Sequence, residues 1–296
     1  MSAVQLTILF ATRNRAPVLS RVLNGYRRAA SPPVSWKMVI VDNGSADATP
    51  IVLNSFEKIL PLEVMLEAAS GKNRALNRAI PAVEGRLVVI TDDDAIPSSS
   101  FLTAWSKYLD FDSDFGLFGG SVVPLFDVKP PRWLVASKFN FSMMFAERDL
   151  AEGPIDAGAI YGPNMAVSKT IFDRGFRFDE RIGPNALDSD YLTGGETEFC
   201  CRVAQSGVKC WFAKEPLVQH IVEAKQLKLA SWAKRAYRTG RTRSHLMRER
   251  GEIVMPPVPS FAERLLMFSP FARQRFKSTC AYYLWRGFHD ECSGLK

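Results

Sequence analysis

The sequence predicts an α/β domain built on a mostly parallel sheet flanked by helices, and three observations predict it. Short apolar runs alternate with apolar stripes of helical period over roughly the first hundred residues. Polar clusters follow the first, second and fourth apolar runs directly, at the strand ends where ligands of open α/β sheets collect. The basic residues concentrate towards the C-terminus, which sets a helical extension apart from the sheet domain.

The elements follow in order. Residues 4–10 form a buried strand, because Val4, Leu6, Ile8, Leu9 and Phe10 are apolar. Asn14-Arg15-Ala16-Pro17 starts a helix, since a proline in the first turn removes an N–H that has no partner there. Val18, Leu19, Val22, Leu23 and Tyr26 make its apolar stripe. A second strand spans 38–41 and ends in Asp42-Asn43-Gly44-Ser45, followed by a helix carrying Val52, Phe56, Ile59 and Leu60. The third strand is 62–66, and Gly71 opens a helix with Ala75, Leu76, Ala79, Ile80 and Val83 on one side. The fourth strand, 87–91, runs straight into Asp92-Asp93-Asp94, and Phe101, Leu102, Trp105 and Leu109 mark the next helix. Beyond this the pattern loosens. Strands are expected at 117–123 and 208–212, a loop-rich stretch at 124–160, and a basic helix at 225–250 that Pro256, Pro257 and Pro259 interrupt before a last helical segment.

A chain of 296 residues, 47% hydrophobic and 23% charged, suits one large domain with an appendage. No basic n-region or cleavage site marks a secretion signal, and no apolar run approaches the length of a membrane span. The five cysteines, Cys200, Cys201, Cys210, Cys280 and Cys292, are odd in number and lack zinc-knuckle spacing, so reduced thiols in a cytoplasmic protein are expected. Residues 225–296 hold 15 of the 38 Lys and Arg but 5 of the 31 Asp and Glu, a balance of +10, whereas the remainder balances at −3. The basic excess is therefore wholly C-terminal, and it favours anionic partners.

Asp92-Asp93-Asp94 carries the strongest chemical signal. Three adjacent carboxylates at the end of an apolar strand repel one another and are costly to bury unpaired. A hard divalent cation resolves that conflict by taking one or two carboxylates and completing its shell with phosphate oxygens and water. The alternative is a solvated acidic turn, which the flanking Leu87-Val88-Val89-Ile90 and Ala95-Ile96-Pro97 disfavour.

Six blocks in order then resemble family 2 glycosyltransferases over about residues 4–222. They are Ala11-Thr12-Arg13-Asn14, Val41-Asp42-Asn43-Gly44-Ser45, Gly71-Lys72-Asn73-Arg74-Ala75-Leu76-Asn77, Thr91-Asp92-Asp93-Asp94, Tyr161-Gly162-Pro163-Asn164-Met165-Ala166 and Gly194-Gly195-Glu196-Thr197-Glu198. The resemblance implies a GT-A fold, a Rossmann-like nucleotide-diphospho-sugar transferase domain at 1–222. Its nucleotide-binding half would be about 1–123 and its acceptor-side half about 124–222, with 223–296 as the basic helical extension. It also implies an inverting transferase using a nucleotide-diphosphate sugar and Mn2+ or Mg2+.

By the same resemblance, Thr12, Arg13 and Asp42 would hold the nucleotide, Asp42 through the base, and Lys72 would face the nucleotide or its phosphates. Asp92 would touch the ribose or support the metal, Asp94 would be the main metal ligand, and Asp93 between them is open to either role. Asn77 lies on the helical side of Asn73 and Arg74 and either assists binding or orders the loop. Asn164 would hydrogen-bond donor sugar or acceptor, or serve as a turn residue. His220 in Val218-Gln219-His220-Ile221-Val222 would bind the metal or the diphosphate, or be structural. The family pattern places an acid pair ahead of an apolar stretch and an arginine. Counting back from Arg202 puts Glu196 on the second acid and Gly195 on the first, so Glu196 is preferred as general base while Glu198 stays open. Trp133, after two prolines, stacks on a sugar or, more in keeping with its setting, packs beneath its loop.

The implied reaction needs one base and one metal, and the acceptor class follows family habit: a glycan or a lipid-linked acceptor. Residues 225–250 carry nine Lys and Arg and one Glu among Leu227, Leu229, Trp232, Ala236 and Tyr237. Such a helix either packs its apolar side on the protein or lies on an anionic membrane, which would make the protein peripheral on the inner face. Nucleic acid is disfavoured, because no binding module accompanies the charge. A sugar-1-phosphate nucleotidyltransferase would want a glycine-rich loop after the first strand, which Ala11-Thr12-Arg13-Asn14-Arg15 lacks. A non-catalytic sugar-nucleotide or glycan-binding scaffold would not need Asp92, Asp94 and Glu196 together.

Overall fold

The computed structural model describes residues 3–137, 141–252 and 255–294. The expected loop-rich stretch and C-terminal extension thus lie partly outside the described residues. The elements in chain order are β1 (Leu6–Thr12), α1 (Ala16–Arg28), β2 (Trp36–Asp42), α2 (Thr49–Glu57), β3 (Leu62–Leu66), α3 (Lys72–Ala79), β4 (Leu87–Thr91), β5 (Ala95–Pro97) and α4 (Phe101–Ser106). Then come β6 (Phe115–Phe126), α5 (Arg132–Ser137), α6 (Phe141–Phe145), β7 (Gly153–Pro154), β8 (Asn164–Ser168), α7 (Lys169–Asp173), α8 (Gly195–Ala204) and β9 (Lys209–Val222). The helices α9 (Leu229–Glu249), α10 (Phe261–Leu265) and α11 (Ala272–Ser293) follow.

The strands form one mixed sheet in the order β3-β2-β1-β4-β8-β6-β9-β5, with β7 also on β9. β1 pairs in parallel with β2 and β4, and β2 with β3. β8 runs antiparallel to β4 and β6, and β9 antiparallel to β5 and β7. β1 is buried along its whole length, as a central strand covered on both faces must be. Its period of two sends Leu6, Ile8 and Phe10 into one apolar layer and Leu9 and Ala11 into the other. The first layer also takes Leu19, Val22 and Leu23 of α1, Leu53 and Phe56 of α2, and Phe101 and Trp105 of α4. The second takes Ala75 and Leu76 of α3, Phe172 of α7, and Phe199 and Val203 of α8. Arg27 and Arg28 close α1 where cations favour the negative end of the helix dipole.

β9 is longer than the five-residue strand expected at 208–212. The strand continues through Lys214-Glu215-Pro216 to Val222, although the proline removes one ladder donor. The Pro216 carbonyl accepts from Asn164 and the Lys214 carbonyl from Ser121, so neighbouring side chains take up carbonyls at this interruption.

The chain divides into two compact units. One comprises Met1–Leu125, Ala146–Leu187 and Gly195–Ile221, and the other Phe126–Phe145, Asp188–Gly194 and Val222–Lys296. The second unit joins 126–145 and 188–194 to the chain from Val222 onwards. The reason is a separate apolar core. Phe141, Phe145 and Leu134 pack with Trp232 and Ala236 of α9 and with Phe276 and Cys280 of α11. Trp133 joins this core, its ring 5.1 Å from that of Phe276. α9 and α11 approach closely where a Cβ on Gly240 would strike the Leu284 carbonyl and one on Gly287 the Tyr237 carbonyl. Part of the basic charge of α9 is used inside this unit. Buried Arg241 bonds Glu291 Oε2 at 2.9 Å and the Asp190 carbonyl, and Arg238 lies 3.8 Å from the Tyr191 ring centre.

Candidate active site

Parallel pairing aligns the C-terminal ends of β1, β2 and β4, with Thr12 opposite Asp42 and Leu9 opposite Ile90. Chain leaving these ends supplies the first part of the site. The Thr12 hydroxyl donates to Asp93 Oδ2 at 2.7 Å. Asn14 has a positive φ of 51°, which asparagine tolerates, and Arg15 follows it at the start of α1. Arg15 Nη2 donates to Asp94 Oδ2 at 2.5 Å, and its Nε lies 3.4 Å from Asp93 Oδ1.

A second set comes from α3. The Gly71 N–H donates to Asn43 Oδ1 at 2.9 Å, and the Asn43 amide donates to the carbonyls of Glu67 and Ala69. This network fixes the helix start, and Lys72 at its first residue bonds both Asp92 Oδ1 and Glu196 Oε1, the latter at 2.5 Å. Burial opposes the Lys72 charge, but Asp92 and Glu196 outweigh it and raise the ammonium pKa above its usual value.

The third set comes from the antiparallel half. β5 pairs with β9 so that His220 sits opposite Ala95, and the Ile221 N–H donates to the Asp94 carbonyl at 2.8 Å. His220 Nε2 thereby lies 3.3 Å from Asp94 Oδ1. Glu196 belongs to the first turn of α8, where acids suit the helix dipole. A Cβ on Gly162 would stand 2.6 Å from Glu196 Oε1, and one on Gly195 would strike the Asn73 amide. The second contact gives a steric reason why glycine, and no acid, precedes Glu196. Tyr161, before Gly162, holds the Arg148 guanidinium 3.3 Å from its ring centre.

The acids are electrostatically unequal. Burial and then the Asp94 charge push Asp93 up to about 6 against the pull of Arg15. Burial also raises Asp92, with Lys72 opposing. Asp94 resists its own burial because His220 and Arg15 flank it, and it is held at about 2. Asp92, Asp93, Asp94 and Glu196 face the fixed cations Lys72 and Arg15, an excess of carboxylate that suits a divalent cation. Carboxylate oxygens with one imidazole fit Mn2+ or Mg2+ in donor type.

The other sequence candidates make the following contacts. Asp42 Oδ1 accepts from the Ser45 N–H at 2.9 Å, and Arg13 Nη1 donates to the Asn43 carbonyl. Asn77 clamps the Phe178 peptide, donating to its carbonyl and accepting from its N–H, both at 2.9 Å. Asn164 is buried beneath the sheet end. It donates to the Ser121 and Pro216 carbonyls and accepts from Trp105 Nε1. Glu198 turns to Arg202, four residues on, at 2.7 Å. The sequence assigns no site role to Arg15 or Asn43. Arg15 reads there as part of a helix start, and only the fold reveals it against the triplet.

A parallel half continued by antiparallel strands, with acids gathered at the strand ends, is the architecture of the GT-A fold. Similar folds include the mannosyltransferase PcManGT from Pyrobaculum calidifontis in complex with GDP-Man and Mn2+. It aligns with a TM-score of 0.68 and 17% identity, covering 100% of this chain and 89% of that one. S. aureus TarS 1–349 in complex with UDP-GlcNAc aligns with a TM-score of 0.56 and 12% identity, covering 99% and 84%. The sequence model of glycosyl transferase family 2 matches residues 7–176, more than half the chain, which therefore belongs to glycosyltransferase family 2. Beta-monoglucosyldiacylglycerol synthase of Trichormus variabilis is 28% identical over 101 residues, 33% of this chain and 22% of that protein. The chain thus spans about a fifth of that relative. Glycosyltransferase AglE of Haloferax volcanii is 22% identical over 217 residues, 73% of this chain and 66% of that protein. Among the described residues, no helix is long and apolar enough to cross a membrane.

Proposed function

We propose that the enzyme transfers a sugar from a nucleotide-diphosphate sugar to the hydroxyl of a glycan or lipid-linked acceptor, with inversion at the anomeric carbon. The observation that carries this reading is the convergence of Asp92, Asp93, Asp94 and Glu196 at one end of the sheet, bridged by Lys72. Glu196 takes the proton of the acceptor hydroxyl. The acceptor oxygen attacks the anomeric carbon from the side opposite the diphosphate, and the bond to the phosphate oxygen breaks with its electron pair leaving on the nucleotide diphosphate. Lys72 holds the Glu196 carboxylate in place, and Gly162 leaves it room. Asp94, with Asp92 and His220, would hold Mn2+ or Mg2+, whose chemistry is to neutralise charge on the departing diphosphate. Thr12, Arg13 and Asp42 line the nucleotide side.

The complexes of PcManGT with GDP-Man and Mn2+ and of TarS with UDP-GlcNAc support a donor of this class. The relative named as a beta-monoglucosyldiacylglycerol synthase supports a lipid among the acceptors. The test is a thermal-shift panel of UDP-, GDP-, dTDP- and CMP-sugars with and without Mn2+. One nucleotide class is expected to stabilise the protein only with metal, by about 2.7 kcal/mol at a hundredfold excess over its Kd. A flat panel overturns the reading.

A further inference from the structure

The stretch from Met255 to Phe271 presents seven large apolar side chains to solvent. Met255, Val258, Phe261, Leu265, Leu266, Phe268 and Phe271 are between 42 and 83% exposed. A run this dense is unlike the scattered exposed apolar residues of an ordinary surface. Nor is it loose chain. The Ser260 hydroxyl accepts from the Glu263 N–H while Glu263 Oε2 accepts from the Ser260 N–H at 2.8 Å, a reciprocal cap that starts α10. Past α10 a short 3-10 turn, Leu266–Phe268, continues the helical path. Ser269 then fastens the segment to α11. Its hydroxyl donates to Gln274 Oε1 at 2.9 Å and accepts from the Phe271 N–H.

Within the helical path Phe261, Leu265 and Phe268 recur at i, i+4 and i+7, which puts them on one side. Residues 255–277 carry Arg264, Arg273, Arg275 and Lys277 against the single acid Glu263, and that acid is engaged in the cap. Aromatic and aliphatic side chains standing out among basic ones suit the headgroup boundary of an anionic bilayer. A second copy of the same surface would bring like charges together.

We propose that residues 255–271, and not the basic helix α9, are the membrane-contacting element of this enzyme, seated on an anionic phospholipid surface through Phe261, Leu265, Phe268 and Phe271. This goes beyond the transferase reading and does not depend on it, because vesicle binding is measured without donor or acceptor.

Hydrogen–deuterium exchange on the whole wild-type chain tests it directly. Vesicles of phosphatidylcholine mixed with phosphatidylglycerol are expected to slow exchange in 255–271, and phosphatidylcholine alone to leave it nearly unchanged. Co-sedimentation with the mixed vesicles should weaken as salt rises. The combined substitution Phe261→Ser, Phe268→Ser and Phe271→Ser should lower the partition coefficient at least roughly tenfold. Circular dichroism of this variant should match wild type, since the replaced rings are exposed. Failure of the wild-type chain to bind mixed vesicles, or protection confined to 229–249, overturns the proposal. So does sedimentation velocity in which the substitutions split a dimer while vesicle binding stays intact, which would make the segment a self-association surface.

Discussion

Lys72 Nζ donates to Glu196 Oε1 at 2.5 Å although 124 positions separate the two residues in the chain. The same ammonium bonds Asp92, so one cation from α3 ties the end of β4 to the first turn of α8. Removing it would leave two carboxylates facing each other in a mostly desolvated site. Lys72→Met is expected to cost about 2–3 kcal/mol of stability in the metal-free protein. Urea unfolding in EDTA checks this, and an unchanged midpoint would show that the bridge has no net effect.

The two acids of α8 should separate cleanly. Glu196→Gln is expected to lower kcat about a thousandfold while nucleotide affinity stays within a few-fold, since only the proton acceptor is lost. Gly162→Ala should lower kcat in the same sense, because the new methyl would displace the Glu196 carboxylate. Glu198→Gln breaks only the pairing with Arg202 and should leave kcat within a few-fold. Steady-state kinetics with isothermal titration of the nucleotide resolves the three, and loss of turnover in the Glu198 variant alone would move the base.

Asn164 is expected to matter for stability more than for donor binding. Its side-chain amide is engaged by the Ser121 and Pro216 carbonyls and the Trp105 N–H, and a Cβ on Gly120 would strike it, so the pocket is built around it. Asn164→Ala should cost about 2–4 kcal/mol, because two carbonyls and the Trp105 N–H lose their buried partner. A thermal melt beside a nucleotide titration checks it. A preserved melting point with weakened donor binding would return Asn164 to the ligand.

The thiols offer a probe of the second apolar layer. Burial, and then the neighbouring Cys201, push Cys210 up to about 11, and burial raises Cys200 as well. At pH 8 Cys210 is then roughly one-thousandth thiolate, against about a quarter for an ordinary thiol. Iodoacetamide should modify the partly exposed Cys201 and Cys292 first and Cys210 at least about a hundredfold more slowly, the gap narrowing as pH rises towards 11 and closing in urea. Mass spectrometry of quenched time points measures it, and rapid native labelling of Cys210 would contradict the packing around β9.

Much of the parallel half was legible because β1, β4 and the buried part of β2 are covered on both faces and so appear as apolar runs. The triplet at the end of β4 could be found the same way, since it abuts such a run, whereas Lys72 at the start of α3 was reached only through the family resemblance. The antiparallel half was harder. Lys214-Glu215-Pro216 hides the middle of β9, and with it the register that carries His220 to Asp94. Arg15 looked like an ordinary helix start, because its partners lie 78 and 79 positions away. The core of Trp133, Phe145, Trp232 and Phe276 joins segments about a hundred residues apart, so no local pattern could assign 126–145 to the C-terminal unit.

The pairing of β5 with β9 also sets an order of assembly. During synthesis β1 to β4 leave the ribosome early and can dock on one another, but His220 follows Asp94 by roughly 6–25 s. For that interval the nascent chain carries its acidic triplet without the imidazole, with β5 lacking its partner strand. A nascent chain stalled before residue 209 would therefore expose both a bare sheet edge and an incompletely neutralised acid cluster, which makes this interval the one in which chaperone protection would count most.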